Sequence, residues 1–403
     1  MDTSEARRIG DRVQAKRRRL GMSLEVLAGL SGLDKGFLSR VENGKRLLDR
    51  RSHLVAVATA LRTTPAELFG VPYPVDHPAR SVAHDRVPAI RLAYLRSSLD
   101  RPMDVPVRPL PMLSAQVSTV GELVQTCDYD LCGQLLPSLL IELHVHCATA
   151  TGDQARAEAL RLLANTCHAA FMVTKSLGFP DLAWLAAERH DQVTHQLGDP
   201  VYMALSVFLR SHSLLPAGAH EEALAFSNRA AEVLQPYIAG SEAAQMYGMH
   251  QLTCGFASAV LGDADQARNH IAEANEIATR IGEGEAHHLY FGPANVGIWR
   301  TAIGVELGEG GKVAEYAVAF DVDAVRSKAR RASLYADVSR GLAQERGKER
   351  ETLAAIRQAE ELAPQWVPTD PVLRDIVAGI LHRAKATAGG EELNSMAWRM
   401  GIQ

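Results

Sequence analysis

The sequence predicts an all-α protein, and three observations carry that prediction. From residue 112 onward, apolar residues recur at helical spacing in stretches of roughly 15–25 residues, cut by Gly-Asp or Gly-Pro breaks. No stretch shows the strict apolar–polar alternation of a half-buried strand. A glycine with a small residue five positions later, and another seven beyond that, recurs along the same region. With 403 residues, 47% of them hydrophobic, the chain is long enough for two or three domains and a large core.

The N-terminal 70 residues read as a run of five short helices. "SEARRIGDRVQAKRRRL" ends at Gly21, and "SLEVLAGL" starts at Ser23, whose hydroxyl can cap the first turn. "DKGFLSRVE" starts at Asp34 and stops at Asn43-Gly44, where a left-handed C-cap is easily made. "SHLVAVATALR" follows, then "TPAELF", with Thr64 as cap and Pro65 at the first helical position. Residues 71–111 hold eight of the eighteen prolines and read as a semi-stiff linker, interrupted by a short helix at "PAIRLAYLRSSL". Three segments result: 1–70, 71–111 and 112–403.

The net charge of −4 hides an asymmetry, because residues 1–70 sum to +6 and the remainder to −10. A basic head on an acidic body predicts that only the head meets a polyanion. Five cysteines without a CxxC pair point to reduced thiols and a cytoplasmic setting, associated with the nucleoid if the head binds DNA. No run approaches eighteen apolar residues, so no membrane span is expected. "MDTSEARRIGDRVQAKRRRL" lacks the apolar core and cleavage site of a signal peptide. Thirty-five arginines against eight lysines, with abundant alanine, point to a GC-rich bacterial genome.

Residues 24–43 have helix-turn-helix spacing. Ala28 sits where two helices would cross, Gly32 supplies the positive φ of the tight turn, and Leu27, Leu33, Leu38 and Val41 fill the space between. On these residues, with "IGDRV", "RVENGKR" and "TPAELF", residues 7–70 resemble the lambda-repressor-like (Xre-type) DNA-binding domain. That resemblance implies that 35–42 enters the major groove of double-stranded DNA, with a dimer reading two half-sites. Lys35, Ser39 and Arg40 would then face base edges or flanking phosphates, with Asn43 at the trailing end. Arg40 suits either bidentate base readout or a phosphate contact. Lys45, Arg46 and some of Arg17–Arg19, notably Arg17 and Arg18, would hold the backbone. Glu42 is a poor DNA ligand and is expected to brace the fold through an arginine such as Arg17. Leu24 and Gly36 stand where relatives place a phosphate-binding glutamine and a DNA-contacting Ser or Thr, so Gly36 predicts close backbone approach in place of a side-chain contact.

In the body the recurring unit occurs as Gly152-Ala157-Ala164, Gly218-Ala223-Ala230 and Gly262-Ala267-Ala274, with weaker copies at Gly347-Thr352-Ala359 and Gly178-Ala183-His190. It resembles a tetratricopeptide (TPR) repeat, which implies a right-handed helical solenoid; an irregular helical bundle is the alternative. Counting back from each turn glycine places Asn165, His168, Met172 and Lys175 on an inward face, with Leu205, Phe208 and His212. Met249, Leu252, Phe256, Asn295, Ile298 and Trp299 follow by the same count. A groove of that make-up suits a short peptide or an amphiphilic small molecule better than a highly charged one. Asn165 and Asn295 are candidates for pairing with an extended backbone. "YFGPANVGIWR" (290–300) also resembles an FGP-x-N-V segment of actinobacterial regulators that fuse an Xre-type head to a TPR-like body. The broader class includes peptide-responsive quorum-sensing regulators, which implies ligand control.

Enzyme chemistry is not expected. "GEGGKV" lacks the first glycine and the Ser/Thr of a P-loop, and no Ser or Cys sits in a nucleophile elbow. No histidine group has metal-ligand spacing, and no cofactor is implied. The expected function is a sequence-specific transcription regulator, homodimeric and ligand-sensing. The alternative is a TPR scaffold that docks a protein and is tethered to DNA by its head.

Overall fold

The computed structural model describes residues 9–69, 81–384 and 390–402, and every regular element among them is a helix. The head comprises α1 (Ile9–Arg19), α2 (Leu24–Ser31), α3 (Lys35–Glu42), α4 (Arg51–Ala60) and α5 (Pro65–Phe69). It closes around its own core of Val13, Leu27, Leu38, Val41, Val57 and Leu61. Ser23 accepts a hydrogen bond from the Val26 N–H at 3.2 Å, and Asp34 from the Phe37 N–H at 2.7 Å, so both helices of the motif start on side-chain caps. Gly32 ends α2 at φ 67°. Gly10 has a different role: a Cβ there would lie 2.1 Å from the Val41 carbonyl oxygen, so only glycine lets α1 lie against α3.

The body runs through α6 (Val87–Arg96), α7 (Leu110–Gln125), α8 (Tyr129–Thr149), α9 (Asp153–Ser176), α10 (Pro180–Leu197), α11 (Pro200–Ala217) and α12 (His220–Leu234). It continues through α13 (Ser241–Val260), α14 (Ala264–Ile281), α15 (Pro293–Leu307), α16 (Lys312–Ala317), α17 (Lys328–Ala343), α18 (Glu349–Leu362), α19 (Pro371–Ala384) and α20 (Glu391–Arg399). From α8 to α15 successive helices pack on one another, and α17 packs on α18. The turn glycines Gly152, Gly178, Gly218, Gly262 and Gly347 all have positive φ, between 75° and 98°. The small residues behind them are buried, Ala157 alone being half-buried. The sequence unit therefore marks helical hairpins with close helix contact. α13 is buried on every side from Ala243 to Val260.

One expectation needs correction. Residues 71–80 lie outside the described residues, but 81–111 do not behave as a linker. Val87, Ile90, Ala93 and Tyr94 of α6 are buried in the body core against α8. Pro88 falls in the first turn, where proline starts a helix rather than breaking one. Arg108 then holds the following strand of chain to Glu142 with a two-pronged ion pair. Among the described residues one helix, α8, is long and apolar enough, by length and composition, to cross a membrane. Its Leu136, Leu139, Leu140 and Leu143 are fully buried in the core formed with α6, α7 and α9.

The head sits on the body through several contacts distant in sequence. Asp375 accepts from the Ile9 N–H at 3.0 Å, and Leu47 joins the body core near Gly379. Val55 lies over Gly218. Glu306 accepts from the Arg51 N–H at 2.8 Å.

Candidate nucleic-acid interface and adjoining hollow

Lys35, Ser39 and Arg40 lie along α3, with the Lys35 and Arg40 side chains more than half exposed. The nearest carboxylate to Arg40 is Asp34 at 3.9 Å, an exposed pair of little energetic weight. Lys35 pairs with Glu25 of α2, and that hydrogen bond holds the Glu25 carboxyl down at about 2. Asn43 is exposed but its amide already donates to the Ser39 carbonyl at 2.7 Å, closing the end of α3. Lys45 is exposed. At Gly36 an added Cβ would meet only the side-chain tips of Asp34 at 3.0 Å and Arg40 at 3.3 Å. The backbone there is open to a close approach.

Two residues expected at the DNA backbone face elsewhere. Arg17 grips Glu42 with Nε at 2.6 Å and Nη2 at 2.7 Å, while Nη1 donates to the Met22 carbonyl at 2.7 Å. Glu42 is only 4% exposed, so its charge is tolerable because both oxygens are paired. Arg17 is thus a brace, whereas Arg18 is exposed. Arg46 turns to the body, where it donates to the Gln344 carbonyl at 3.2 Å.

Residues 8–68 match a family model for a helix-turn-helix domain. The head is a helix-turn-helix domain. No curated protein and no solved structure matches the chain.

Beneath the helix-turn-helix head the body encloses a hollow. Its three adjoining parts, which share lining residues, have volumes of about 170, 150 and 260 Å³. The part nearest the head is lined by Arg51, Lys175, His212, Phe256, Trp299 and Arg330, among others. The middle part shares Lys175 and Arg330 and adds His168, Met172 and His288. The far part includes Asn165, His168, Tyr202, His287 and His288. Eight of the expected groove residues therefore line one or another of these parts: Asn165, His168, Met172, Lys175, His212, Phe256, Ile298 and Trp299.

Others do not. Phe208 is 2% exposed and packs tilted against the His212 ring with centroids 4.2 Å apart, while Met249 and Asn295 are fully buried. Counting from a turn glycine sets the phase along a helix, but α13 has no free face for Met249 to occupy. Asn295 donates to the Leu289 carbonyl at 3.0 Å, which pins the loop between α14 and α15 instead of pairing with a ligand. In that loop His287, His288 and Tyr290 all take left-handed φ near 50°, a cluster of backbone strain in non-glycine residues. Gln245 anchors it by accepting from the Ala286 N–H at 2.9 Å, and Phe291 fills space that a Cβ on Gly248 would close. The strained loop presents His287 and His288 to the hollow.

Sequence reasoning also missed Arg51, Arg330 and the carboxylate that joins head to body. Arg50, the residue before α4, offers no side-chain cap. Glu306 of α15 takes that place and also lies 3.5 Å from the Arg51 guanidinium. Arg340 of α17 donates to Glu306 at 2.7 Å, to the Asp49 carbonyl at 2.8 Å and to Asp337 at 2.8 Å. Arg51 also lies 4.9 Å above the Phe256 ring, a wall of the hollow. One head residue thus touches both the buried ion cluster and the cavity.

Titratable groups of the hollow are held away from charge. Removal from water, aided by Arg330 and Arg51, lowers Lys175 to about 7. Burial keeps His168 and His212 well below the usual imidazole range. All five cysteines are buried, and burial raises Cys147 and Cys167 to about 12, so they are protonated thiols. Among the described residues no three His, Cys, Asp or Glu side chains are grouped as a metal site.

Proposed function

We propose that the chain is a one-component transcription regulator. The helix-turn-helix head binds operator DNA, and the TPR-like body responds to a ligand in its hollow. Arg51 carries this reading, because it opens a head helix, lines the cavity and pairs with a buried body carboxylate. A ligand that displaces Arg51 from Phe256 or Glu306 would shift how the head sits. To move a two-state equilibrium fully, it must favour one state by about 5.5 kcal/mol. A homodimer reading two half-sites fits the size of the head.

The test begins with DNA. Arg40→Ala combined with Lys35→Ala should weaken binding to the protein's own promoter region at moderate salt; unchanged binding would sink the DNA reading. Phe256→Ala should then alter the response of DNA affinity to ligand without altering DNA affinity alone.

A second reading, protein docking, draws on a separate apolar groove of about 550 Å³ that includes Met203, Val207, Phe226, Val233 and Tyr237. Phe226, Val233 and Tyr237 are 41–55% exposed there. A stoichiometric protein partner in pull-downs, with no small ligand in native mass spectra, would favour that alternative.

A further inference from the structure

We propose that the end of the hollow nearest the head binds an anionic amphiphile. Its acid group lies between Lys175 and Arg330, and its apolar part lies against Phe256, Ile298 and Leu215. This deepens the sensing reading and rests on it for the effect on DNA.

The argument starts from unmatched charge. Among the described residues neither Lys175 nor Arg330 forms an ion pair, and the charges that act on Lys175 are Arg330 and Arg51, both positive. The acid in the lining, Asp337, is already held by Arg340 at 2.8 Å. Arg51 has Glu306. Both thus lack acid partners, and the charge of Arg330 is one of the causes that lower Lys175.

Hydrogen-bond donors are in the same surplus. Trp299 is 7% exposed and its indole N–H, which can only donate, has no acceptor. The Nε2 atoms of His212 and His168 are buried and also without a hydrogen bond, and each can donate in one of its two tautomers. A ligand that meets this lining must bring acceptors and negative charge, as a carboxylate or phosphate monoester does. Apolar surface supplies the other half of the description, because Leu215, Pro216, Phe256, Ile298 and Ala302 also line this end.

Shape agrees with an extended ligand. The part nearest the head is only about 170 Å³, but it shares Lys175, Arg330 and Ser333 with the next. The adjoining parts together reach the size range of small-molecule sites, roughly 300–1,000 Å³. The sequence-based expectation of a weakly charged groove is thereby revised: the lining is apolar with a basic centre.

Calorimetry on the full chain tests this with three probes of equal chain length: decanoate, decyl phosphate and decan-1-ol. At least one acid should bind at least tenfold tighter than the alcohol, and which acid does so separates the carboxylate source from the phosphate source. Lys175→Met with Arg330→Met should abolish that preference while the protein still melts cooperatively. If the double variant does not fold, the contrast between acids and alcohol on the unaltered protein decides. Equal binding of acid and alcohol, no binding of either acid, or an intact preference in the folded variant overturns the site. Operator affinity, measured alongside, keeps the two ideas apart. Acid binding that leaves DNA affinity unchanged supports the site and overturns sensing. A peptide that shifts DNA affinity when neither acid binds overturns the site and leaves sensing in place.

Discussion

Head and body are both helical, yet they treat their cations in opposite ways. The head turns Arg18, Lys35, Arg40 and Lys45 outward and spends Arg17 on a single buried carboxylate, Glu42. The body turns Lys175 and Arg330 toward a space whose lining acid, Asp337, is already paired with Arg340. Outward cations suit a large polyanion that brings its own solvent and counterions. Inward cations suit a small anion that is stripped of water. The same residue types thus stand in two different settings, on an outer helix face in one region and around a hollow in the other.

The largest expected effect tests whether the regions also differ in their response to acid. Burial lowers His144 and His250 to about 4 and His190 to about 3, all in the body. Arg189 donates to His144 Nε2, so Nδ1 carries the proton given to the Leu140 carbonyl and the ring is neutral. Folded values below the unfolded one mean that this stability is present above about pH 6.5 and is lost as pH falls toward 4. Each histidine contributes roughly 1.4 kcal/mol per pH unit in that window. Circular dichroism should show acid unfolding there, and His250→Gln should lower the midpoint. A flat signal from pH 7 to 4 would refute it.

Next comes the junction. Glu306→Ala removes the cap of α4 and a charge that faces Arg340, at a cost of about 3–5 kcal/mol in denaturant melts. Glu306→Leu with Arg340→Met should recover much of that loss; equal damage would mean the ion cluster itself is not the cause. Within the head, Arg17→Ala should cost about 3 kcal/mol by leaving Glu42 buried and unpaired. Gly10→Ala should cost about 1–3 kcal/mol from the collision with Val41, outweighing the ~1 kcal/mol that alanine gains in a helix. The smallest effect is at Arg18→Ala, with stability within about 0.5 kcal/mol. Its salt slope for DNA binding should fall by about one. A destabilised Arg18 variant would blur the division between brace and contact.

Local chemistry made the head legible. Ser23, Asp34 and Gly32 act within three or four residues of themselves, and the pairing of Arg17 with Glu42 spans one small domain. The body's turn glycines were readable for the same reason. Proline counting failed at α6, because Pro88 begins a helix whose Ile90 and Tyr94 have an apolar surface waiting for them in α8. Asn295, Phe208 and Met249 were misplaced because helical phase shows which residues share a face, not what covers it. Arg51 and Glu306 are 255 positions apart, and Arg330 lies outside the repeat units, so no spacing could have joined them.

The carboxylate that caps α4 bears on modularity. A DNA-reading head is commonly treated as interchangeable, to be cut out and grafted onto another sensor. Here the first turn of its fourth helix is finished by Glu306, a residue borrowed from α15. A graft that leaves Glu306 behind would carry an unfinished helix, so the transferable piece is the head together with that glutamate and its arginine.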